Sequence, residues 1–259
     1  MIENLKPTRI ELVFLLFYLL ALITAECFVI FYNLQLGLIL EAVIIFALLI
    51  HLSVTRSPPL RLLLCSMTAF PIVLIIGLSL PMIPISQVYW FILSGITLFT
   101  ISYTLMKVQS LTRQNVGLTW STLPLQLLIA CTGIVFGVLE YSILHPLPLS
   151  PTINLESLVI GSIIIIISTG FAEELLFRGI IQRNAQNALG AGLGILYSTL
   201  LFTALNISHS LPDVIFVFLV GLFYGYIFYK TRSIIGISLA HGISNTMLLL
   251  IIPYYLATL

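Results

Sequence analysis

A chain of 259 residues that is 60% hydrophobic and only 7% charged is not an ordinary soluble domain, in which roughly a quarter of residues carry charge. A mean hydropathy of +1.18 identifies a polytopic membrane protein with lipid as its surroundings, and a formal charge of +1 argues against nucleic acid as a partner. Cys27, Cys65 and Cys131 fall within apolar runs and form neither a disulfide framework nor a metal-ligand spacing.

Apolar runs near residues 10–31, 35–53, 61–80, 87–106, 122–143, 158–181, 194–210, 213–229 and 234–255 are each long enough to cross most or all of a hydrocarbon core of about 30 Å. Backbone polar groups in lipid must be satisfied internally, and these runs are too long for barrel strands. The fold class is therefore all-α, a polytopic transmembrane helical bundle of about nine spans, with eight possible. Lys6 and Arg9 precede the first run as in a signal peptide, yet Glu26 stands before Cys27 and no cleavage site follows, so a retained first span is expected. Glu26 and Glu41 come at similar depths on the first hairpin. They read as interfacial acids, with a shared proton or hydrogen bond as the alternative. Pro71 predicts a kink in span three, and Pro124 is harmless in the first turn of span five. The stretch from His145 to Pro151 forms an extended connection.

The lysines and arginines divide the chain independently. Lys6 and Arg9 precede span one, Arg56 and Arg61 lie between two and three, Lys107 and Arg113 between four and five, Arg178 and Arg183 at the end of six, and Lys230 and Arg232 after eight. All fall on one side of the nine-span arrangement, which by the positive-inside rule puts the N-terminus in the cytoplasm.

The costliest stretch is Phe171-Ala-Glu-Glu-Leu-Leu-Phe-Arg178, because an ionisable group at membrane depth carries a penalty of roughly 2.5–3.5 kcal/mol even on the mildest scales. Measured from Arg183 along the helix, Glu173 lies about 15 Å deep; measured from Arg232, His241 lies at about 13 Å and Asn245 at about 19 Å. The two groups therefore meet at similar depth. His241 and Asn245 share a helix face, as do Glu174 and Arg178, whereas Glu173 points elsewhere. Asn206 and His209, three apart, share a face of span seven. Taken singly, a membrane histidine is more often a packing residue, an asparagine glues helices and Arg178 anchors topology; the coincidence of depth favours a functional site.

Glu173-Glu-Leu-Leu-Phe-Arg178 resembles the E-E-x-x-x-R motif of the CPBP family, the CAAX-processing and bacteriocin-processing (Abi-type) intramembrane glutamic endopeptidases. Phe202 is similar to the start of that family's F-x-x-x-H motif, and His241-Gly-Ile-Ser-Asn245 to its H-x-x-x-N motif, in the same order. The resemblance covers roughly residues 155–255. It implies a protease core in 155–259, preceded by N-terminal membrane helices, 1–154, that carry no recognised motif. It also implies a metal-independent enzyme without cofactor. Glu173 would be the base that activates water, Glu174 with Arg178 would orient it, and His241 with Asn245 would donate to the oxyanion. The substrate would be a peptide or lipidated, membrane-tethered peptide: prenylated C-terminal peptides in eukaryotes, leader or pheromone peptides in bacteria. The expected setting is a bacterial plasma membrane with the active site opening toward the cytoplasmic side. The position of the second motif's histidine is occupied by Asn206. Either His209 reaches back about 4.5 Å along the axis, or Asn206 holds the water, or the chain is an impaired relative that serves as a scaffold, regulator or bacteriocin-immunity protein.

Overall fold

The computed structural model describes residues 8–120, 122–149, 155–207 and 210–257. Among them nine helices follow one another: α1 (Arg9–Tyr32), α2 (Leu34–Val54), α3 (Pro58–Ser79), α4 (Gln87–Val108), α5 (Leu123–Leu144), α6 (Glu156–Leu189), α7 (Ala191–Ala204), α8 (Leu211–Thr231) and α9 (Ile235–Leu256). All except α7 are long and apolar enough to cross a membrane, so the protein is an integral, multi-pass helical bundle.

Local chemistry explains most boundaries. The Thr8 hydroxyl accepts the Glu11 amide at 3.2 Å and the Glu11 carboxylate accepts the Thr8 amide at 2.6 Å, a reciprocal cap that starts α1. Asn33 caps α2 by accepting the Leu36 amide at 2.9 Å. The helical pattern of α3 is interrupted at Thr68, three residues before Pro71, whose ring and missing amide disturb the preceding turn as expected. Pro124 occupies the first turn of α5.

Two elements depart from the sequence reading. Span six does not stop near residue 181 but continues to Leu189, where Gly190 with φ +86° ends it. Within α6 the backbone widens to π geometry over Ile166–Phe171 and again over Leu175–Gln182, leaving Ala172–Glu174 as an α-turn between the two. Span seven is shorter than expected. Helix α7 ends at Ala204, and the amides of Leu205, Asn206 and Ile207 bond three residues back, to Phe202, Thr203 and Ala204. This tightened turn satisfies the last carbonyls and takes Asn206 off the helix; His209, expected on the same face as Asn206, lies outside the described residues. The acids of the first hairpin are corrected too. Glu26 and Glu41 are buried rather than interfacial, and Glu26 Oε2 and both Glu41 oxygens lack a hydrogen-bond partner among the described residues.

Helices α6 and α9 cross in the interior of the bundle, and α5 packs along α9 with its other face exposed. A Cβ at Gly170 of α6 would collide with the Ser238 carbonyl of α9, and one at Gly242 of α9 would lie 2.6 Å from Ile166 Cα of α6. Only glycine lets these backbones approach so closely, which is how helices associate when lipid offers no hydrophobic drive. Polar side chains of α6 bind the next layer: Gln182 donates to the Gly225 carbonyl of α8 at 2.8 Å, and Asn184 donates to Gln109 at 2.8 Å beyond the end of α4. Helix α1 closes the outside of α7 through Tyr197, whose hydroxyl donates to the Leu15 carbonyl at 3.0 Å.

Candidate active site

The close crossing of α6 and α9 brings the two motifs face to face. Glu174, fully buried, lies 3.2 Å from Arg178 Nε through one carboxylate oxygen and 2.9 Å from His241 Nδ1 through the other. The pairing with Arg178 follows from the i,i+4 spacing; the bond to His241 depends on the crossing of two helices and is not readable from either one. The guanidinium of Arg178 is itself buried, lies 4.3 Å from the centre of the Phe202 ring and reaches the Gly221 carbonyl at 3.5 Å. Phe202, the first residue of the second motif, thus covers the cation from the α7 side.

Glu173 does not point away from this group. Its Oε2 lies 4.0 Å from His241 Nε2, so the imidazole stands between the two carboxylates. An imidazole presents nitrogens on opposite edges and can face two adjacent glutamates whose side chains diverge along the helix, a geometry helped by the widened turns on either side. The two carboxylates nevertheless differ in access. Glu173 is 27% exposed and Glu174 not at all; water reaches the first and not the second. Phe202 meets the His241 ring edge-on at 5.8 Å, and the Tyr224 ring of α8 lies 6.3 Å away.

Asn245, one turn along α9 from His241, donates to the Thr169 hydroxyl at 3.0 Å, while that hydroxyl donates to the Ile165 carbonyl at 2.8 Å. Thr169 was not among the residues the motifs single out. Its signal is its spacing of four before Glu173, which returns it toward the same side of α6. Asn206 donates to the Phe202 carbonyl at 3.2 Å, and its amide oxygen accepts no hydrogen bond from the described residues.

Glu173, Asn206, His241 and Asn245 all line one cavity of about 330 Å³, whose remaining wall includes Phe202, Val217, Val220, Tyr224 and Leu248. Toward its far end the cavity is bordered by Glu140 and Leu144 of α5, by Pro146 and by Phe216 of α8. These are the ends of α5 and α8 remote from Lys230, Arg232 and the basic loop before α5. Glu174 and Arg178 do not line it; they support it from behind. The arrangement offers an accessible carboxylate and an imidazole at 4.0 Å, a buried ion pair that orients the imidazole, and amide groups nearby: parts suited to activating water against a carbonyl.

The family model described as Type II CAAX prenyl endopeptidase Rce1-like matches residues 155–247, which hold Glu173, Glu174, Arg178, Asn206, His209, His241 and Asn245. No curated protein and no solved structure matches the chain significantly.

Proposed function

Starting from a C-terminal core, residues 155–247, that is Rce1-like and so of the CPBP family of CAAX-type membrane proteases, we propose that the protein is an intramembrane glutamic endopeptidase acting on a membrane-tethered peptide. The observation that carries this reading is the Glu174–His241–Glu173 arrangement at the inner end of the cavity. Counting charge explains it. With Glu173 and Glu174 ionised, Arg178 cationic and His241 doubly protonated, the cluster carries no net charge, which lowers the cost of holding four ionisable groups at membrane depth. His241 then donates Nδ1–H to Glu174 and directs Nε2–H into the cavity.

In this mechanism Glu173 takes a proton from a water held beside it, and the water oxygen attacks the peptide carbonyl. The oxyanion forms next to the Nε2–H of His241 and the Asn245 amide, whose orientation Thr169 sets. The cluster gains one positive charge as the oxyanion gains one negative charge, so neutrality is kept. Collapse of the tetrahedral intermediate breaks the C–N bond, and the proton on Glu173 passes to the leaving nitrogen. Asn206, across the cavity, uses its free amide oxygen to hold the water.

Two expectations from sequence conflict on this geometry. If the basic loops are cytoplasmic, the end of the cavity bordered by Leu144, Pro146 and Phe216 faces the other side of the membrane. We retain the positive-inside orientation in a bacterial plasma membrane and read the substrate as approaching from the non-cytoplasmic leaflet.

The test is cleavage of a fluorogenic membrane-peptide library by purified protein with chelator present. Turnover is expected for wild type, with a loss of about 10²–10⁴-fold in Glu173→Gln, the usual worth of a general base. Turnover that survives in His209→Ala assigns the water-holding role to Asn206. A folded wild type that cleaves nothing favours the scaffold or immunity reading, for which Asn206 in place of a histidine is the specific argument.

A further inference from the structure

At the end of the bundle remote from Leu144 and Pro146, three separate parts of the chain are tied together and each brings basic residues. The loop before α5 folds back on α6, where a Cβ at Gly179 would lie 2.8 Å from the Val116 carbonyl. The same loop is bonded to the turn between α8 and α9. The Ile234 amide donates to the Gly117 carbonyl at 2.9 Å, the Ser233 hydroxyl to the Thr119 carbonyl at 2.7 Å, and the Thr119 hydroxyl to the Arg232 carbonyl at 3.2 Å. Arg183 follows Gly179 by one turn of α6 and comes close enough to Arg232 to feel its charge. Arg232, at φ +54°, ends α8 with its side chain exposed. Its guanidinium lies 5.2 Å from the centre of the Tyr229 ring, and the Lys230 ammonium lies 5.8 Å from that same ring and 5.5 Å from the ring of Tyr226.

Three cations are thus gathered at one place, and among the described residues no carboxylate stands within ion-pair distance of Arg183, Lys230 or Arg232. Arg183 has only the Asn184 side-chain oxygen at 3.5 Å. The aromatic faces offset part of the repulsion, and an anion would offset the rest. The surroundings indicate which anion. Trp120, next to Thr119, is 77% exposed and Tyr226 54% exposed, and the cluster lies where the apolar run of α8 ends. Large aromatic rings with one polar edge belong at the level of the lipid head groups. Basic side chains gathered between helix ends at that level suit a phosphate. We propose that Arg183, Lys230 and Arg232 bind the phosphate head group of an anionic phospholipid, with Trp120 beside its acyl chains. A head group held there clamps the end of α6 to the start of α9, the two helices that meet at the Glu174–His241 bond. The site stands on its own residues and does not depend on the protease reading.

The experiment uses the full-length protein carrying Trp90→Phe, so that Trp120 is its single tryptophan. It is placed in vesicles of phosphatidylcholine and phosphatidylglycerol in which one lipid or the other has brominated chains. Bromine quenches a tryptophan only at contact, so the two quenching curves give the lipid preference at Trp120. Phosphatidylglycerol is expected to be favoured at least about fivefold, the effect of one basic side chain at an anionic surface. Arg183→Gln combined with Arg232→Gln is expected to bring the ratio close to one, whereas Arg183→Lys combined with Arg232→Lys keeps it, which separates loss of charge from loss of fold. Arg9→Gln combined with Arg56→Gln removes two exposed charges elsewhere on the basic face and is expected to leave the ratio unchanged. An equal fall in that control, or no preference before any arginine is changed, overturns the proposal, because the attraction then belongs to the whole face or does not exist. A ratio abolished by excess inorganic phosphate at constant ionic strength also overturns it, by assigning the cluster to a soluble phosphate.

Discussion

His241 owes its place to three contacts of different kinds: a hydrogen bond to Glu174 at 2.9 Å, the edge of Phe202 and the face of Tyr224. Asn245 depends on one, the Thr169 hydroxyl. Thr169→Val keeps the shape and removes the acceptor, so a drop in kcat of roughly tenfold with KM nearly unchanged is expected from loss of one buried hydrogen bond; steady-state kinetics on a cleaved peptide decides it. Arg178 acts through Glu174 and carries a structural burden as well. Removing one partner of a buried ion pair strands the other, at a cost of about 3–5 kcal/mol. Arg178→Leu is therefore expected to lower the thermal midpoint of the detergent-solubilised protein as well as its activity, whereas Glu173→Gln, at an accessible carboxylate, lowers activity with little effect on the midpoint. The identities and spacing of Glu173, Glu174, Arg178, His241 and Asn245 were legible from the chain, whereas Thr169 was not singled out. The partnership of His241 with both glutamates was not, because it crosses from one helix to another 67 positions away.

The helices were predicted well where a single signal dominated, as in the long apolar runs and the proline that interrupts α3. They were predicted poorly where competing local bonds decide. Helix α7 stops at Ala204 because the following amides bond three residues back, and no hydropathy scale reads that. The widened turns of α6 have no compositional mark either, since Ile166–Phe171 and Leu175–Gln182 look like ordinary apolar helix. Close packing carries a prediction of its own. Gly242→Ala places a methyl group against Ile166 and is expected to destabilise by about 1–3 kcal/mol, the range for overpacking. Gly77 of α3 has open space where a Cβ would stand, so Gly77→Ala is expected to be neutral or to stabilise by up to about 1 kcal/mol. Comparing the two unfolding midpoints tests whether the α6–α9 crossing, rather than glycine content as such, sets stability.

In the assembled bundle, the end of the cavity bordered by Leu144, Pro146 and Phe216 lies at the ends of α5 and α8 remote from the basic loops. Orientation is testable without activity. In a background lacking Cys27, Cys65 and Cys131, Leu147→Cys, exposed just beyond α5, is expected to react with an impermeant maleimide on intact cells. Trp120→Cys, exposed in the loop before α5, is expected to react only after lysis. The reverse pattern would turn the mouth toward the cytoplasm and restore the expectation drawn from sequence.

Hydropathy was enough to establish a multi-pass helical membrane protein, and short motifs were enough to mark the resemblance to CAAX-type proteases in the segment that the family model matches, because each is a property of residues near one another along the chain or of the solvent that the chain must enter. Which glutamate is sealed and which is wet, the bond from Asn245 to Thr169 and the place of Glu140 on the cavity wall follow instead from how α5, α6 and α9 cross, and the burial of Glu26 and Glu41 from the packing around α1 and α2. Those contacts join residues distant in sequence through glycine-mediated backbone approach, and nothing within a single helix specifies them.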